Sequence, residues 1–396
     1  MRVLQINSVC QNGSTGRIAL DIYNSLISNG DECLIVYGRG LAPENINSCK
    51  IGSELSVKLH GVISRITDRQ GFMSPFATKK LIKKIKEYNP DIIHLHNIHG
   101  YYLNVKLLFK FLADYNKPVV WTLHDCWAFT GHCAYYSYAK CNKWKNRCFA
   151  CPQKKAYPAS YFFDSSEINY KDKKKAFTGI KDLTLVTPSY WLKSQVEESF
   201  LKKYSVIPIY NGIDLNVFKP LESNFKDKYN ISNKKIILGV ANIWEPRKGF
   251  DDFLKLSKII SDEYVIVLVG LSDLQISSLP KNIIGIKRTE NADELVKIYS
   301  SAYVYVNLSV EETMGLTTAE ALATGTPAIV YNKTAVPEVI DEKSGIVVSA
   351  GDVEGVYGAI ENLNISSKDC IKRAEVFEKN KQYNKYLELY KSKVRK

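Results

Sequence analysis

The chain has 396 residues, of which 45% are hydrophobic and 24% charged, and its 54 Lys and Arg against 41 Asp and Glu give a formal net charge of +13. This composition excludes a disordered chain, and no apolar run reaches the roughly 18 to 20 residues of a membrane-spanning helix. The length exceeds one ordinary core and predicts two domains. No charged and then apolar leader precedes the first strand-like run, so we expect a cytoplasmic protein.

Strand-like runs alternate with helical patterns along the whole chain, which is typical of parallel sheets built from strand-helix-strand units. The runs lie at residues 2–9, 32–38, 91–97, 118–125 and 183–189, and again at 235–242, 264–270, 283–288, 302–309 and 327–332. A cluster of Pro, Gly, Asn and Asp near residue 208 predicts a linker between the two series. We therefore expect an α/β fold with two doubly wound, Rossmann-like domains facing across a cleft. The expected bounds are 1–207 and 208–375, with a Cys-rich insertion near 126–160 and a C-terminal helix at 376–396 that packs back on the N-terminal domain.

A glycine-rich turn follows the first strand. Gly13 and Gly16 flank Ser14 and Thr15 ahead of a helical pattern. The spacing matches neither the dinucleotide fingerprint nor the P-loop. Its backbone N–H groups would still be available to a phosphate or to a transferred group.

A lysine-rich segment at residues 78–90 has Leu81, Ile82 and Ile85 at helical spacing, with lysines on the other sides. Two interpretations stand side by side. The helix could lie on an anionic membrane surface, or it could pack its apolar stripe on its own domain. We find no motif or basic, aromatic-interleaved stripe of the kind that binds nucleic acid.

Histidines follow two strands of the first domain. His94 and His96 alternate with Leu95, so they share one strand face, and a metal pair or a hydrogen-bonded buried pair fits that spacing. We favour the hydrogen-bonded pair, because no third ligand follows at an obvious spacing. His124 ends the strand at 118–125.

Five of the nine cysteines lie between residues 126 and 151. Disulfides are not expected in a reducing compartment, and four thiolates around a structural zinc would hold together an insertion with little apolar core. The expected ligands are Cys133, Cys141, Cys148 and Cys151, with unligated thiols as the alternative. The nearby Trp127, Tyr135, Tyr136, Tyr138 and Trp144 could line an acceptor site or merely pack the insertion.

Two motifs of the second domain point to a phosphate-bearing ligand. Arg247 and Lys248 follow its first strand, and two fixed cations there can neutralise a diphosphate. Met314, Gly315 and Leu316 lead from another strand into a helix, whose first N–H groups form a site for phosphate oxygens. Glu312 before this turn and Glu320 about one turn after it could accept hydroxyls at the two ends of a nucleotide joined to a polar group.

Together these residues resemble the family-4 retaining glycosyltransferases of the GT-B fold, particularly those of bacterial surface-polysaccharide synthesis. The resemblance covers nearly the whole chain and is carried by the E-x7-E pair with "GL", the "EALATGTPAIV" that follows, Glu338, the "RKG" at 247–249, the "NGID" at 211–214 with Phe218 and Pro220, the Gly13–Gly16 turn, and "HD" at 124–125. One departure is that Ala241 and Asn242 replace the family's usual Gly-Arg pair, so one diphosphate cation is missing.

The resemblance implies a role for each motif. Glu320 would hold the donor's ribose, Glu312 the hydroxyls of its sugar, the 314–316 amides its phosphates, and Arg247 and Lys248 its diphosphate. His124 would lie against the donor sugar and stabilise the charge that develops there. The implied partners are a nucleotide-diphosphate sugar and a glycan or lipid-linked acceptor at the inner membrane face, with no nucleic acid. No catalytic cofactor, metal or protein nucleophile is implied. The alternatives are a non-catalytic basic protein that binds nucleotides or nucleic acid, and a nucleotide-sugar epimerase of the same fold.

Overall fold

The structure is a computed structural model that describes residues 1–394. It contains two compact units. The first comprises Met1–Tyr210 and the segment from Gln382 onward, and the second comprises Asn211–Lys381. None of the helices within residues 1–394 is long and apolar enough to cross a membrane.

The first unit is built on seven parallel strands. They are β1 (Arg2–Val9), β2 (Glu32–Arg39), β3 (Ser48–Lys50), β4 (Ile92–Leu95), β5 (Val119–Thr122), β6 (Leu183–Thr187) and β7 (Ser205–Pro208). Its helices before the linker are α1 (Gly13–Ser28), α2 (Glu54–Thr67), α3 (Pro75–Tyr88), α4 (Val105–Tyr115), α5 (Ser166–Phe177) and α6 (Tyr190–Glu197). The sheet order is β3-β2-β1-β4-β5-β6-β7. The strand order reverses between β1 and β4, and in such sheets ligands bind beyond the carboxyl ends of the strands at that reversal.

The second unit contains six parallel strands in the order β10-β9-β8-β11-β12-β13. The strands are β8 (Lys235–Val240), β9 (Tyr264–Val269), β10 (Ile283–Ile286), β11 (Val304–Asn307), β12 (Ala328–Tyr331) and β13 (Gly345–Val348). The helices are α7 (Phe225–Lys228), α8 (Phe250–Leu256), α9 (Asp273–Ser277), α10 (Ala292–Ser301), α11 (Leu316–Ala323), α12 (Val353–Glu361) and α13 (Ser367–Ala374). Here the order reverses between β8 and β11, so the segments after these two strands are neighbours. The predicted α/β class with two doubly wound sheets is confirmed.

The final helix, α14 (Lys379–Val394), belongs largely to the first unit. Its buried tyrosines, Tyr383, Tyr386 and Tyr390, pack into a core shared with β1, β2 and α1. Two of them also make polar contacts with the sheet. The Tyr386 hydroxyl lies 3.0 Å from Thr122 Oγ1, and the Tyr390 hydroxyl lies 2.6 Å from His94 Nδ1.

The lysine-rich helix α3 buries its apolar stripe. Leu81 and Ile85 are completely inaccessible to solvent and belong to the main core of the first unit. The interpretation in which this stripe lies on a membrane is therefore wrong, and the alternative, a surface helix that packs on its own domain, describes α3.

Candidate active site

Two neighbouring strands of the second unit deliver the charged residues predicted to bind a diphosphate. After β8, a short 3-10 turn at Pro246–Lys248 carries Arg247 and Lys248, and Gly249 ends it with a φ of +79°. A Cβ at Gly249 would lie 2.3 Å from the Leu308 carbonyl oxygen, so only glycine lets this turn pack on the end of β11. That close packing places the turn against the segment that contains Glu312.

Lys248 and Glu312 form an ion pair through Nζ and Oε1. Both side chains are largely buried, at 18% and 16% exposure. Burial opposes ionisation of Glu312, but the charges of Lys248 and Arg247 outweigh it and lower the pKa of this carboxyl. Glu312 is therefore an anion near neutral pH, and the Lys248 ammonium group is its partner in this structure.

Arg247 is held by the protein on two sides. Its Nε donates to Glu245 Oε2 at 2.9 Å, and its Nη1 donates to the Glu311 carbonyl at 2.8 Å. In return, the Val310 N–H donates to the Arg247 carbonyl at 2.9 Å. These contacts fix the guanidinium beside the loop after β11 while its charge remains near Glu312.

The turn into α11 contains the residues that were predicted to bind phosphate. Gly315 adopts a φ of +93° and precedes the helix without a side-chain cap. Glycine adopts this left-handed backbone conformation without the steric penalty that a Cβ would cause. The Met314 side chain is buried and accepts a hydrogen bond through Sδ from the Asn211 N–H at 3.2 Å, which ties the turn to the start of the unit. The first amides of α11 therefore start from a fixed backbone.

Glu320 lies on the second turn of α11 and is only 7% exposed. Its Oε2 accepts a hydrogen bond from the Tyr299 hydroxyl at 3.2 Å. Tyr299 itself is buried, and burial keeps its pKa well above the ordinary value, so its hydroxyl remains a donor. No sequence pattern indicated Tyr299 as the partner of Glu320, because α10 and α11 meet only in the folded unit.

The predicted glycine-rich turn of the first unit is itself the start of a helix. Gly13, Ser14, Thr15 and Gly16 form the first turn of α1, not a loop ahead of it. Asn7 Nδ2 donates to the Thr15 carbonyl at 3.1 Å. Gly16 passes close to Gln11, where a Cβ would approach the backbone to 2.8 Å. Because Gly16 has no Cβ, the helix can begin directly beside the end of β1.

His124 follows β5 and belongs to a hydrogen-bonded chain through the sheet. Gln5 Nε2 donates to the Ala19 carbonyl, so Gln5 Oε1 accepts from His96 Nε2 at 2.8 Å. His96 Nδ1 must then accept from His124 Nε2, 3.1 Å away. Burial lowers the pKa of His124 to about 4 and that of His96 well below the ordinary value. His124 is therefore neutral at pH 7, with its proton on Nε2.

A small pocket of the first unit adjoins His124. Its lining includes His96, His99, Asp125 and Trp127. His99 Nε2 lies 2.8 Å from Asp125 Oδ2, and Nδ1 lies 3.2 Å from the Tyr157 hydroxyl. Burial would raise the pKa of Asp125, but His99 and the Trp127 N–H lower it below the ordinary value. The His99–Asp125 contact was not predicted, since 26 residues separate the partners.

Most aromatics of the Cys-rich insertion fill its interior. Trp127, Tyr136 and Trp144 are at most 3% exposed, whereas Tyr138 is exposed. Of these three buried residues, only Trp127 reaches the pocket beside His124. The packing interpretation therefore describes the other two.

The four cysteines proposed as zinc ligands are free thiols in the structure. The Cys133 and Cys151 thiols share a hydrogen bond, which raises the pKa of Cys133 and lowers that of Cys151 to about 7. The Gly131 N–H donates to Cys148 Sγ at 3.2 Å. Within residues 1–394, no group of three or more His, Cys, Asp or Glu side chains is placed to hold a metal ion. Zinc at Cys133, Cys141, Cys148 and Cys151 stays a prediction.

Comparison with protein families places the chain among glycosyltransferases. Residues 15–162 match the model of Glycosyltransferase Family 4, and residues 234–364 match that of Glycosyl transferases group 1. The first match lies in the first unit and the second in the second unit, and together they cover well over half of the chain. The protein belongs to the family-4 glycosyltransferases and is an enzyme of that class. A non-catalytic binding protein has no comparable support.

Individual relatives agree with this assignment. The chain is 24% identical over 377 residues to a putative colanic acid biosynthesis glycosyl transferase of Escherichia coli, with 89% of this chain and 88% of the relative covered. Sucrose-phosphate synthase from Thermosynechococcus elongatus has the same fold, with a TM-score of 0.73, 16% identity and coverage of 99% and 98%. Anabaena HepE, solved in complex with UDP and glucose, gives a TM-score of 0.67 at 13% identity, with coverage of 99% and 100%.

Proposed function

We propose that this enzyme transfers a sugar, with retention of its anomeric configuration, from a nucleotide-diphosphate sugar to a glycan or lipid-linked acceptor. The proposed pathway is cell-surface polysaccharide synthesis, at the cytoplasmic face of the membrane. The relative in colanic acid biosynthesis supports the pathway, and HepE with bound UDP and glucose supports the donor class. Retention follows from the family resemblance.

One observation carries the proposal. The structure brings Arg247, Lys248 and Glu312 together at the ends of β8 and β11, with the start of α11 in the same loop. Two cations and a set of helix-terminal N–H groups suit a diphosphate. A buried carboxylate on each side, Glu312 and Glu320, suits the hydroxyls of the sugar and the ribose.

In the proposed reaction, the bond between the sugar C1 and the β-phosphate oxygen breaks as the acceptor oxygen attacks the same face. The departing diphosphate oxygen takes the acceptor's hydroxyl proton, so no side chain acts as a general base. Lys248 and Arg247 stabilise the negative charge that grows on the diphosphate. Glu312 orients the sugar and stabilises the positive charge near C1. His124 is proposed as a neutral hydrogen-bonding group for the sugar, since its pKa lies near 4.

Thermal-shift measurements with UDP, GDP, ADP and dTDP test the donor site. We expect one nucleotide to raise the Tm of the wild type, and the rise to shrink strongly in Glu320→Gln, because the amide removes the charge-assisted bonds to ribose. Glu361→Ala, an exposed glutamate of α12, serves as the matched control and should respond like the wild type. An equal response in Glu320→Gln and the control would contradict the assignment.

Retention and metal dependence need separate measurements. The anomeric configuration of the product, read by NMR against that of the donor, tests retention. Full activity in EDTA is expected, because the proposed charge stabilisation comes from side chains and amides. The structural zinc stays a prediction, and the zinc content of the purified protein, compared with that of Cys148→Ser, decides it.

A further inference from the structure

Helix α2 of the first unit presents its apolar residues to solvent. Leu55, Leu59, Val62 and Ile66 follow one another at intervals of four, three and four residues, so they form one stripe along the helix. All four are exposed, with Leu55 at 76% and Leu59 at 57%. A surface helix normally buries such a stripe against its own domain. In α2 the stripe faces solvent instead.

The inward side of α2 is mostly small and polar, with Val57 packed against the main core of the first unit. His60, Gly61 and Ser64 are buried there. His60 Nδ1 lies 2.8 Å from Ser74 Oγ, and His60 Nε2 accepts from the Gly71 N–H at 3.3 Å. These contacts fix which side of the helix faces the protein. The apolar stripe therefore cannot turn inward without breaking buried hydrogen bonds.

Three consecutive aromatic residues extend the stripe at the end of α2. Tyr161, Phe162 and Phe163 are 58%, 70% and 61% exposed. The Tyr161 N–H donates to the Arg65 carbonyl at 2.8 Å, and the Phe163 N–H donates to the Ile66 carbonyl at 3.1 Å. The aromatic segment thus closes the carboxyl end of the helix and continues its exposed apolar surface. We call residues 55, 59, 62, 66 and 161–163 the apolar ridge.

The apolar ridge lies in a basic part of the chain. Residues 50–86 contain nine Lys and Arg against two acids, a net +7 that accounts for about half of the +13 of the whole chain. Lys58 and Arg65 are exposed on α2 itself, and Lys154 Nζ donates to the Phe162 carbonyl at 3.2 Å. Some of these bases are already paired, Lys50 with Glu54, Arg69 with Asp172, and Lys83 and Lys84 with Glu87. The structure shows no such ion pair for Lys58, Arg65 or Lys154 among the salt bridges of residues 1–394.

We propose that the apolar ridge inserts into the interfacial layer of an anionic bilayer, with Lys58, Arg65 and Lys154 held at the lipid phosphates. Exposed Leu, Tyr and Phe beside lysines are the combination that binds such a layer. A second copy of this basic chain fits less well, because two such surfaces would repel each other. The inference deepens the proposed function by naming the surface that brings the enzyme to a lipid-linked acceptor.

Vesicle flotation tests the ridge with the full-length enzyme. We expect binding to vesicles of phosphatidylcholine with 30% phosphatidylglycerol, and much weaker binding to phosphatidylcholine alone. The double variant Leu59→Ser, Phe162→Ser should lower the partition coefficient roughly tenfold or more. The double variant Lys58→Glu, Lys154→Glu should lower it about 25-fold or more on anionic vesicles, since each juxtamembrane lysine contributes about a fivefold increase in binding and the new glutamates are repelled by the lipid.

Matched controls come from the second unit. Leu274 is 82% exposed on α9, and Lys281 is also exposed. Leu274→Ser and Lys281→Glu should bind vesicles like the wild type. Every variant should keep the nucleotide-induced thermal shift, which shows that it is folded and that its donor site is intact. Loss of that shift in the wild type would count against the donor site and leave the vesicle result standing.

Three outcomes would overturn the inference. The wild type could fail to bind anionic vesicles while a nucleotide still stabilises it. The ridge and control variants could bind equally well. The protein could instead be a dimer by light scattering that Leu59→Ser converts to a monomer, which would assign the ridge to a second copy of the chain.

Discussion

The ion pair between Lys248 and Glu312 gives the sharpest test of the donor site, because its two members should have opposite effects on nucleotide binding. In the structure, Lys248 is committed to Glu312. A diphosphate that binds Lys248 must share this cation with the carboxylate and also approaches a like charge. We therefore expect Glu312→Gln to bind the preferred nucleoside diphosphate more tightly, and Lys248→Met to bind it more weakly.

The magnitude follows from Coulomb's law. Two unit charges about 6 Å apart at an effective dielectric constant between about 20 and 80 interact by roughly 1 to 3 kcal/mol, so removing the carboxylate should tighten binding by a factor between about 5 and about 150. Lys248→Met should weaken it at least tenfold, because a charge-assisted contact is lost. Both variants should lower kcat by a factor of about 100 or more, because each removes stabilisation of charge in the transition state.

Isothermal titration with the nucleoside diphosphate, together with initial rates on the nucleotide sugar, measures both effects. The free energy of unfolding supplies a further check, because breaking a largely buried pair should cost about 1 to 4 kcal/mol in either single variant, while the double variant should cost less than the sum of the two. If Glu312→Gln weakened nucleotide binding as much as Lys248→Met, the proposed division of roles between the two residues would be refuted.

Two further predictions concern stability. His60 and His124 have pKa values near 4 in the folded protein against an ordinary 6.5, so the unfolded chain binds more protons between these values. The free energy of unfolding should therefore fall as the pH drops from about 6.5 to 4, by up to about 3 kcal/mol for each histidine. Urea titrations at several pH values measure this fall. If the free energy of unfolding depended on pH equally in His124→Asn and the wild type, the contribution assigned to His124 would be wrong. Gly249→Ala should lower the free energy of unfolding by more than about 2 kcal/mol, because the new Cβ adds backbone strain and contacts the Leu308 carbonyl. Gly351 has a φ of +86° and open space around it, so Gly351→Ala should lower it by only about 1 kcal/mol. Equal losses of Tm in the two variants would show that the protein relieves the contact at Gly249.

The sequence was sufficient to predict the fold because its signals are local. Each of the ten predicted runs contains a strand, since alternation, turns and short apolar runs can be read within a few residues. Three short strands, β3, β7 and β13, were not predicted. β3 has three residues, Ser48–Lys50, and no apolar pattern, and it pairs only because β2 offers it an edge. β7 lies where the linker was expected to begin.

Only those site residues that directly follow neighbouring strands could be placed together from the sequence. Arg247 and Lys248 follow one strand, Glu312 follows its neighbour, and parallel strands end at the same edge, so their proximity follows from the topology. The partners Tyr299 and Gln5 were missed, because they depend on side chains that meet across separate elements; Gln5 lies 91 residues from His96. The orientation of α2 could not be predicted either, because periodicity defines a stripe without saying which side faces the core.

The placement of α14 has a consequence for biosynthesis. Tyr386 and Tyr390 bond to Thr122 and His94, and 264 residues separate Tyr386 from Thr122 in the chain. When residue 210 has been translated, the core around β1 still lacks this helix, and roughly 170 more residues must be added before it is made. At about 5 to 20 residues per second, the nascent first unit waits on the order of ten to thirty seconds with an apolar groove uncovered. During that interval the growing chain should be a substrate for ribosome-associated chaperones.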